Sequence, residues 1–320
     1  MFAKRRRAHA SPLWPTLFGL VLGLLVVAPV EGEAAPVPTG LAEVHREGER
    51  GPTVVLIPGL GFSWTVFKPL MAAEKGEFRF VAVTLAGFEL PGGGAGVVPV
   101  GSPEDATPWL DSAEEELRAL ISEQPDGPVI VIGHSLGGHL AMRLADAPRV
   151  RGVISLDGRP VYEAPGLPVG AAPERRARQV WRVHADSIKR ASDNTWLRSY
   201  ATAVAEGLND ARRGRALSAE VRKRSPGMLK HAYLELLASD ARPSLEAAPK
   251  TPVLIIVGAV AGGGPSDEAG VLKLWRPLVR DATGPVEVDF IADAGHWPLD
   301  NAPNRARRRI VNFITEVAAP

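Results

Sequence analysis

Gly133-His134-Ser135-Leu136-Gly137 lies between an apolar run, Val129–Ile132, and a helical stretch, Gly138–Ala147. A serine at a sharp strand-to-helix turn sits in strained backbone and projects its oxygen. The N-terminus of the following helix then points at developing negative charge. Small residues two before and two after the serine let the chain turn that tightly. The rival reading is a glycine-rich turn with an idle serine. A serine hydroxyl is a weak nucleophile until an imidazole takes its proton. A carboxylate must in turn fix the imidazole's tautomer and stabilise the imidazolium. The chain has seven histidines. His134 and His139 sit at or near the turn, where packing accounts for them. His184 and His231 fall on or beside apolar stripes of later helices, which again favours packing. His134 and His139 are five apart, and no pair combines i, i+4 spacing with the carboxylate of a helical zinc site. No metal and no cofactor is expected.

Such groups need a scaffold, and 320 residues suit one large domain or one domain with an insertion. Apolar residues at 45% and charged residues at 23% exclude wholesale disorder. Lys+Arg at 37 against Asp+Glu at 36 lacks the basic excess of a charge-driven nucleic-acid binder. The expected partner is a small-molecule substrate. Cysteine is absent, so there is no disulfide, thiolate metal site, thiol nucleophile or cysteine-borne lipid anchor.

The N-terminus carries an address. Lys4, Arg5, Arg6 and Arg7 precede an uncharged apolar run from Leu13 to Val30, followed by Gly32-Glu33-Ala34. This describes a secretory signal peptide over residues 1–34, cleaved after Ala34. An uncleaved anchor is the alternative, since the run is about long enough to span a bilayer. Pro12, Pro15 and Pro29 disfavour one long helix there. Any membrane contact would come through this segment, if it stays uncleaved. The expected location is a periplasm or the exterior.

Thr53–Ile57, Phe80–Leu85, Val129–Ile132, Val153–Leu156, Val253–Val257 and Val286–Ile291 read as strands, several of them apolar on both faces. Such runs belong to a parallel sheet covered on both sides. Residues 35–52 are broken up by proline and glycine and suggest no strand. Ser112 with Glu115 reads as a capping box, followed by Ala113, Leu117, Leu120 and Ile121 at helical spacing. Ala306, Ile310, Phe313 and Val317 stripe a last helix. Alternating strands and helices give an open α/β sheet. From Gly158 to Pro252 no convincing strand occurs, and amphipathic helical patterns fill a span far longer than a crossover needs. The expected organisation is a core of residues 35–157 and 253–320 with a helical cap inserted at 158–252. The cap holds 17 basic and 10 acidic residues.

From about Thr53 to Val317 the chain resembles the α/β-hydrolases. Besides the serine turn, Ile57-Pro58-Gly59-Leu60-Gly61 follows a strand where that family supplies an oxyanion-hole amide. Pro58 stands where many relatives have histidine. Leu85-Ala86-Gly87-Phe88 resembles the family's turn after the next strand. Ala294-Gly295-His296-Trp297-Pro298 stands where the family keeps its catalytic histidine. The helical insertion sits at the family's cap position, between its sixth and seventh strands. The resemblance implies Ser135 as nucleophile, His296 as base, and the backbone N–H groups of Leu60 and Leu136 as the oxyanion hole. Two carboxylates compete for the remaining role. Asp157, directly after Val153–Leu156, is favoured over Asp267, which Ser266 helps mark as a helix cap. The bland reading of Asp157-Gly158 is a turn.

The expectation is therefore a serine hydrolase acting on an ester, or on an amide or lactone, through an acyl-enzyme. Serine at the nucleophile position argues against epoxide hydrolases and dehalogenases. The turn also lacks the Gly-Gly-Ser-Trp-Gly form of proline iminopeptidases. A cofactor-free haloperoxidase or a C–C bond hydrolase on the same triad stays open, as does a non-catalytic envelope scaffold on this fold.

Overall fold

The computed structural model describes residues 40–89, 105–163, 168–259 and 265–319. The signal-peptide expectation, and the glycine runs Gly92–Gly94 and Gly262–Gly264, lie outside them. Seven strands make one sheet: β1 (Leu41–Glu47), β2 (Thr53–Ile57), β3 (Arg79–Leu85), β4 (Val129–His134), β5 (Val150–Leu156), β6 (Val253–Val257) and β7 (Val286–Phe290). Their order is β1-β3-β2-β4-β5-β6-β7, parallel except for β1. Every residue of β2, β4 and β6 is buried, as expected of strands covered on both faces.

The first strand corrects the sequence reading. β1 pairs antiparallel with β3 at the sheet edge, over residues expected to hold no strand. None of its residues is fully buried, so the run carries no apolar alternation to read. Its charged residues suit an edge that must not recruit another chain.

The core helices are α1 (Lys68–Ala73), α2 (Pro108–Ser122) and α3 (Leu136–Arg143). Between β5 and β6 come α4 (Pro173–Gln179), a π-helical turn (Val180–His184), α5 (Ala185–Arg190), α6 (Asp193–Glu206), α7 (Ala211–Val221), α8 (Pro226–Ala238) and α9 (Arg242–Glu246). The chain closes with α10 (Glu268–Val279), α11 (Pro298–Asn301) and α12 (Pro303–Ala318). The α2 start is also corrected: Thr107 is its N-cap and Pro108 its first residue, so Ser112 and Glu115 lie inside the helix. Pro at the first helical position loses no hydrogen bond there.

Strand β5 shows how both faces are covered. Gly152 lies against Phe313 of α12, whereas Ser155 lies against Gly138 of α3. Three residues apart on a strand means opposite faces. An ion pair of Arg307 with Glu74 at 2.8 Å ties α12 to the end of α1.

Strand order reverses between β2 and β4. The chain leaves β2 for β3 on one side and returns to β4 on the other. Loops leaving β2 and β4 diverge at that point and open the crevice where open α/β sheets bind ligands. The Pro58–Ser63 segment and Ser135 stand on its two lips.

Candidate active site

Two strained residues frame the site. Ser135 has φ 54° and ψ −115°, and Asp157 has φ 51°. Among the described residues no other non-glycine residue has positive φ. Such backbone costs of order 1–3 kcal/mol and persists where neighbours over-determine it. Here the neighbours are strand ends: the Ser135 amide donates to the Leu156 carbonyl at 2.9 Å, and the Asp157 amide to the Ile256 carbonyl at 2.8 Å. The turn also needs its glycines. A Cβ on Gly137 would stand 2.1 Å from the Ile57 carbonyl oxygen, and one on Gly133 would stand 1.9 Å from that of Gly137.

His296 follows β7 on a turn through Gly295. Its Nδ1 lies 2.6 Å from Asp157 Oδ2. Asp267 instead caps α10, accepting the Gly270 N–H at 2.9 Å. With Nδ1 engaged by a carboxylate, the ring presents Nε2 as its proton acceptor. His134 fixes the backbone of this turn: its Nε2–H donates to the His296 carbonyl at 2.7 Å. Burial pushes the His134 imidazole down to about 3, and the nearby His296 adds to the shift, so it stays neutral. Trp297 packs on His134 with ring centroids 4.6 Å apart and meets Phe62 edge-on at 5.2 Å.

Three other described histidines sit away from this turn. His139 donates from Nδ1 to the Arg159 carbonyl at 2.9 Å and accepts from Ser239 Oγ at Nε2, 2.8 Å. Burial, with Arg143 beside it, holds that imidazole down at about 4. His231 is buried on α8, 2.6 Å from Glu235. His184 ends the π-helical turn.

Leu136 is the first residue of α3, directly after the serine, and its amide heads that helix. Leu60 lies in a tight turn closed by Phe62 N–H donating to Gly59 C=O at 3.1 Å. The two amides thus come from the two lips of the crevice. A serine on a helix N-terminus, an imidazole oriented by a carboxylate and amides from two loops are the parts that acyl transfer requires.

Three residues near the serine carry no sequence signal. Tyr162 shares a side-chain hydrogen bond with Ser135 and accepts the Arg159 N–H at 3.3 Å. Burial pushes its phenol up to about 12. Tyr200 and Arg224 reach down from the cap. In the sequence Tyr200 shares an amphipathic stripe with Leu197, Val204 and Leu208, and Arg224 ends the basic run Arg222-Lys223-Arg224; neither pattern says which group the side chain bonds. Among the described residues, no group of three or more His, Asp or Glu side chains is gathered as a metal site needs, and no helix is long and apolar enough to cross a membrane.

The family model described as "Alpha/beta hydrolase family" matches residues 54–308. Lipase LipV of Mycobacterium tuberculosis is 54% identical over 43 residues, which is 13% of this chain and 16% of that protein. Protein phosphatase methylesterase 1 of Homo sapiens is 29% identical over 118 residues, 35% of this chain and 28% of that protein. The chain therefore spans 16% of the one relative's length and 28% of the other's. Among solved structures, the enol-lactonase from Burkholderia xenovorans superposes with a TM-score of 0.59 at 20% identity, covering 85% of this chain and 96% of that one. At that identity the likeness concerns the fold.

Proposed function

The chain belongs to the alpha/beta hydrolase family, and from that premise we propose that it is an exported serine hydrolase that cleaves carboxylic esters. The observation that carries this reading is the Asp157–His296 hydrogen bond of 2.6 Å beside a strained serine on a strand-to-helix turn. The names of the lipase and methylesterase relatives support esters over amides and lactones.

The steps follow from the groups available. His296 takes the Ser135 proton through Nε2 as Oγ attacks the ester carbonyl. Asp157 stabilises the imidazolium and keeps Nδ1–H pointed at itself. The developing oxyanion is held by the N–H groups of Leu60 and Leu136, aided by the positive end of α3. His296 then returns the proton to the leaving alkoxide, which frees the alcohol and leaves an ester on Ser135. Water, activated by the same imidazole, cleaves that ester and restores the serine. Neutral His134 adds no competing cation beside the base.

Export rests on residues 1–34 of the sequence alone. It expects a mature chain beginning at Ala35, checked by N-terminal sequencing of the protein recovered from the culture exterior or periplasm. The chemistry is tested with a fluorophosphonate probe and p-nitrophenyl esters. Labelling and turnover that both vanish in Ser135→Ala support the reading. An unlabelled wild-type protein without esterase activity would make it a non-catalytic scaffold.

A further inference from the structure

The turn that carries the Leu60 amide is not held by the core alone. Gly59 to Phe62 form a four-residue turn with the 3.1 Å closing bond. Gly61 in its third position has φ 76° while Leu60 keeps negative φ, the pattern of a type II turn. Type I and type II turns differ by a flip of the central peptide, here Leu60–Gly61. That flip turns the Leu60 carbonyl and the Gly61 N–H; the Leu60 N–H belongs to the preceding peptide and stands where Leu60 itself is held.

Cap side chains grip this peptide and the next. Tyr200 on α6 donates its hydroxyl to the Leu60 carbonyl at 2.6 Å. Arg224, between α7 and α8, donates Nε–H to the Gly61 carbonyl at 2.8 Å. The same guanidinium donates to the Glu89 carbonyl at 2.6 Å and to Glu220 Oε1 at 2.9 Å. Glu220 on α7 in turn accepts the Ser63 hydroxyl at 3.1 Å. The Arg224 side chain is 1% exposed. So both central carbonyls of the turn, and the residue just after it, are fixed from the insertion.

We propose that the cap completes the oxyanion hole, with Tyr200 and Arg224 as positioning residues that hold Leu60 and Gly61 by their carbonyls and so fix where the Leu60 N–H stands. The inference rests on reading Leu60 as an oxyanion donor to an ester held at Ser135. Its physical content is preorganisation: a donor stabilises a transition state without reorganisation cost only if its direction is fixed beforehand. A cap that lifts away takes both ties with it, so the site is competent only with the cap seated. Burial raises the Tyr200 phenol above its ordinary value, and it remains a donor through neutral pH.

The test is Tyr200→Phe, which removes one oxygen and keeps the ring, assayed on p-nitrophenyl acetate and with a phenyl trifluoromethyl ketone, whose serine adduct carries an oxyanion. The expected result is a kcat about tenfold lower with KM within about twofold. That is less than the roughly 10²–10³-fold cost of losing a donor outright. Inhibition by the ketone should weaken by the same factor as kcat. Arg224→Lys, which loses the planar fork whose three nitrogens reach three separate partners, should show the same split. Arg190→Met is the comparison. Arg190 pairs with Asp186 at 3.6 Å on the exposed face of α5, so its loss takes a cation from the cap without touching α6, Arg224 or the turn, and kcat should hold. Wild-type kcat in Tyr200→Phe, or equal loss in Arg190→Met, overturns the proposal. Retained turnover in Ser135→Ala would instead remove the serine mechanism beneath it, a separate failure.

Discussion

The Ser135 amide donates to the Leu156 carbonyl at 2.9 Å, which ties the serine's turn to the residue immediately before Asp157. The two strained residues are therefore parts of one unit at adjacent strand ends, β4 and β5. Moving either turn pulls on the other. The strain is held for its geometry, because an unstrained turn would leave the serine oxygen lower and the carboxylate elsewhere.

Strain at Ser135 separates two substitutions that both delete the hydroxyl. Ser135→Ala keeps a Cβ at φ 54° and should unfold within error of the parent. Ser135→Gly relieves the left-handed backbone and should gain about 1 kcal/mol, less the extra chain entropy of glycine. Both should lose ester turnover by on the order of 10⁶. Paired urea titrations check it, and equal stability of the two variants would show that the turn is unstrained.

The carboxylates divide as cleanly. Asp157→Asn should lower kcat by about 10⁴, the scale for removing the orienting acid of a serine triad. Asp267→Asn should cost at most about 1 kcal/mol of stability through the cap on Gly270 and leave kcat intact. Measuring both on one ester decides the matter, and an inactive Asp267→Asn would reverse the assignment.

Part of the molecule is written locally. Val129–Ile132 followed by a glycine-flanked serine is a strand and a turn in the sequence itself, and buried parallel strands are apolar throughout. Asp157 is legible as the residue ending such a strand. β1 is not, since an edge strand pairs through backbone and its side chains stay partly or fully in water. The true start of α2 was hidden for a related reason. Its first amides are capped by Glu235, more than a hundred residues away. Tyr200 and Arg224 act through the direction of single hydrogen bonds, which spacing does not encode.

Acid should weaken the fold through two histidines. Burial holds His134 down at about 3 and His139 at about 4, while an unfolded histidine titrates near 6.5. Above pH 6.5 neither state binds the proton and nothing is lost. Below it the unfolded chain takes up protons that the folded one refuses, so stability falls as pH falls. The slope approaches about 1.4 kcal/mol per pH unit for each histidine down to pH 4. His139→Gln should make the slope of urea-derived stability between pH 6 and about 5 shallower by about one such unit. An unchanged slope would mean that His139 titrates normally.

Glu235 offers a test of how the cap is seated. It is fully buried on α8, and it accepts the N–H groups of Trp109 and Leu110 at 3.2 and 2.8 Å, at the start of α2. Thr107, the N-cap residue, makes no side-chain bond there. Glu235→Ala would leave two buried donors unpaired, costing about 3 kcal/mol in total. Urea unfolding reads this, and amide exchange at Trp109 and Leu110 should quicken. Slow exchange there in Glu235→Ala would mean another group serves those donors.

The way the helical insertion enters and leaves the sheet bears on how such a chain can change over generations. It departs after β5 and returns to β6, and these strands are neighbours. The Ala241 N–H donates to the Pro160 carbonyl at 2.8 Å, so the two stems stand side by side like a doorway. Anything between the stems can be lengthened, trimmed or exchanged wholesale without shifting the register of a strand. A lineage can thus trade one lid for another and meet new substrates while Ser135, Asp157 and His296 stay where they are. The exchange carries one condition, because an incoming lid has to bring its own counterparts of Tyr200 and Arg224.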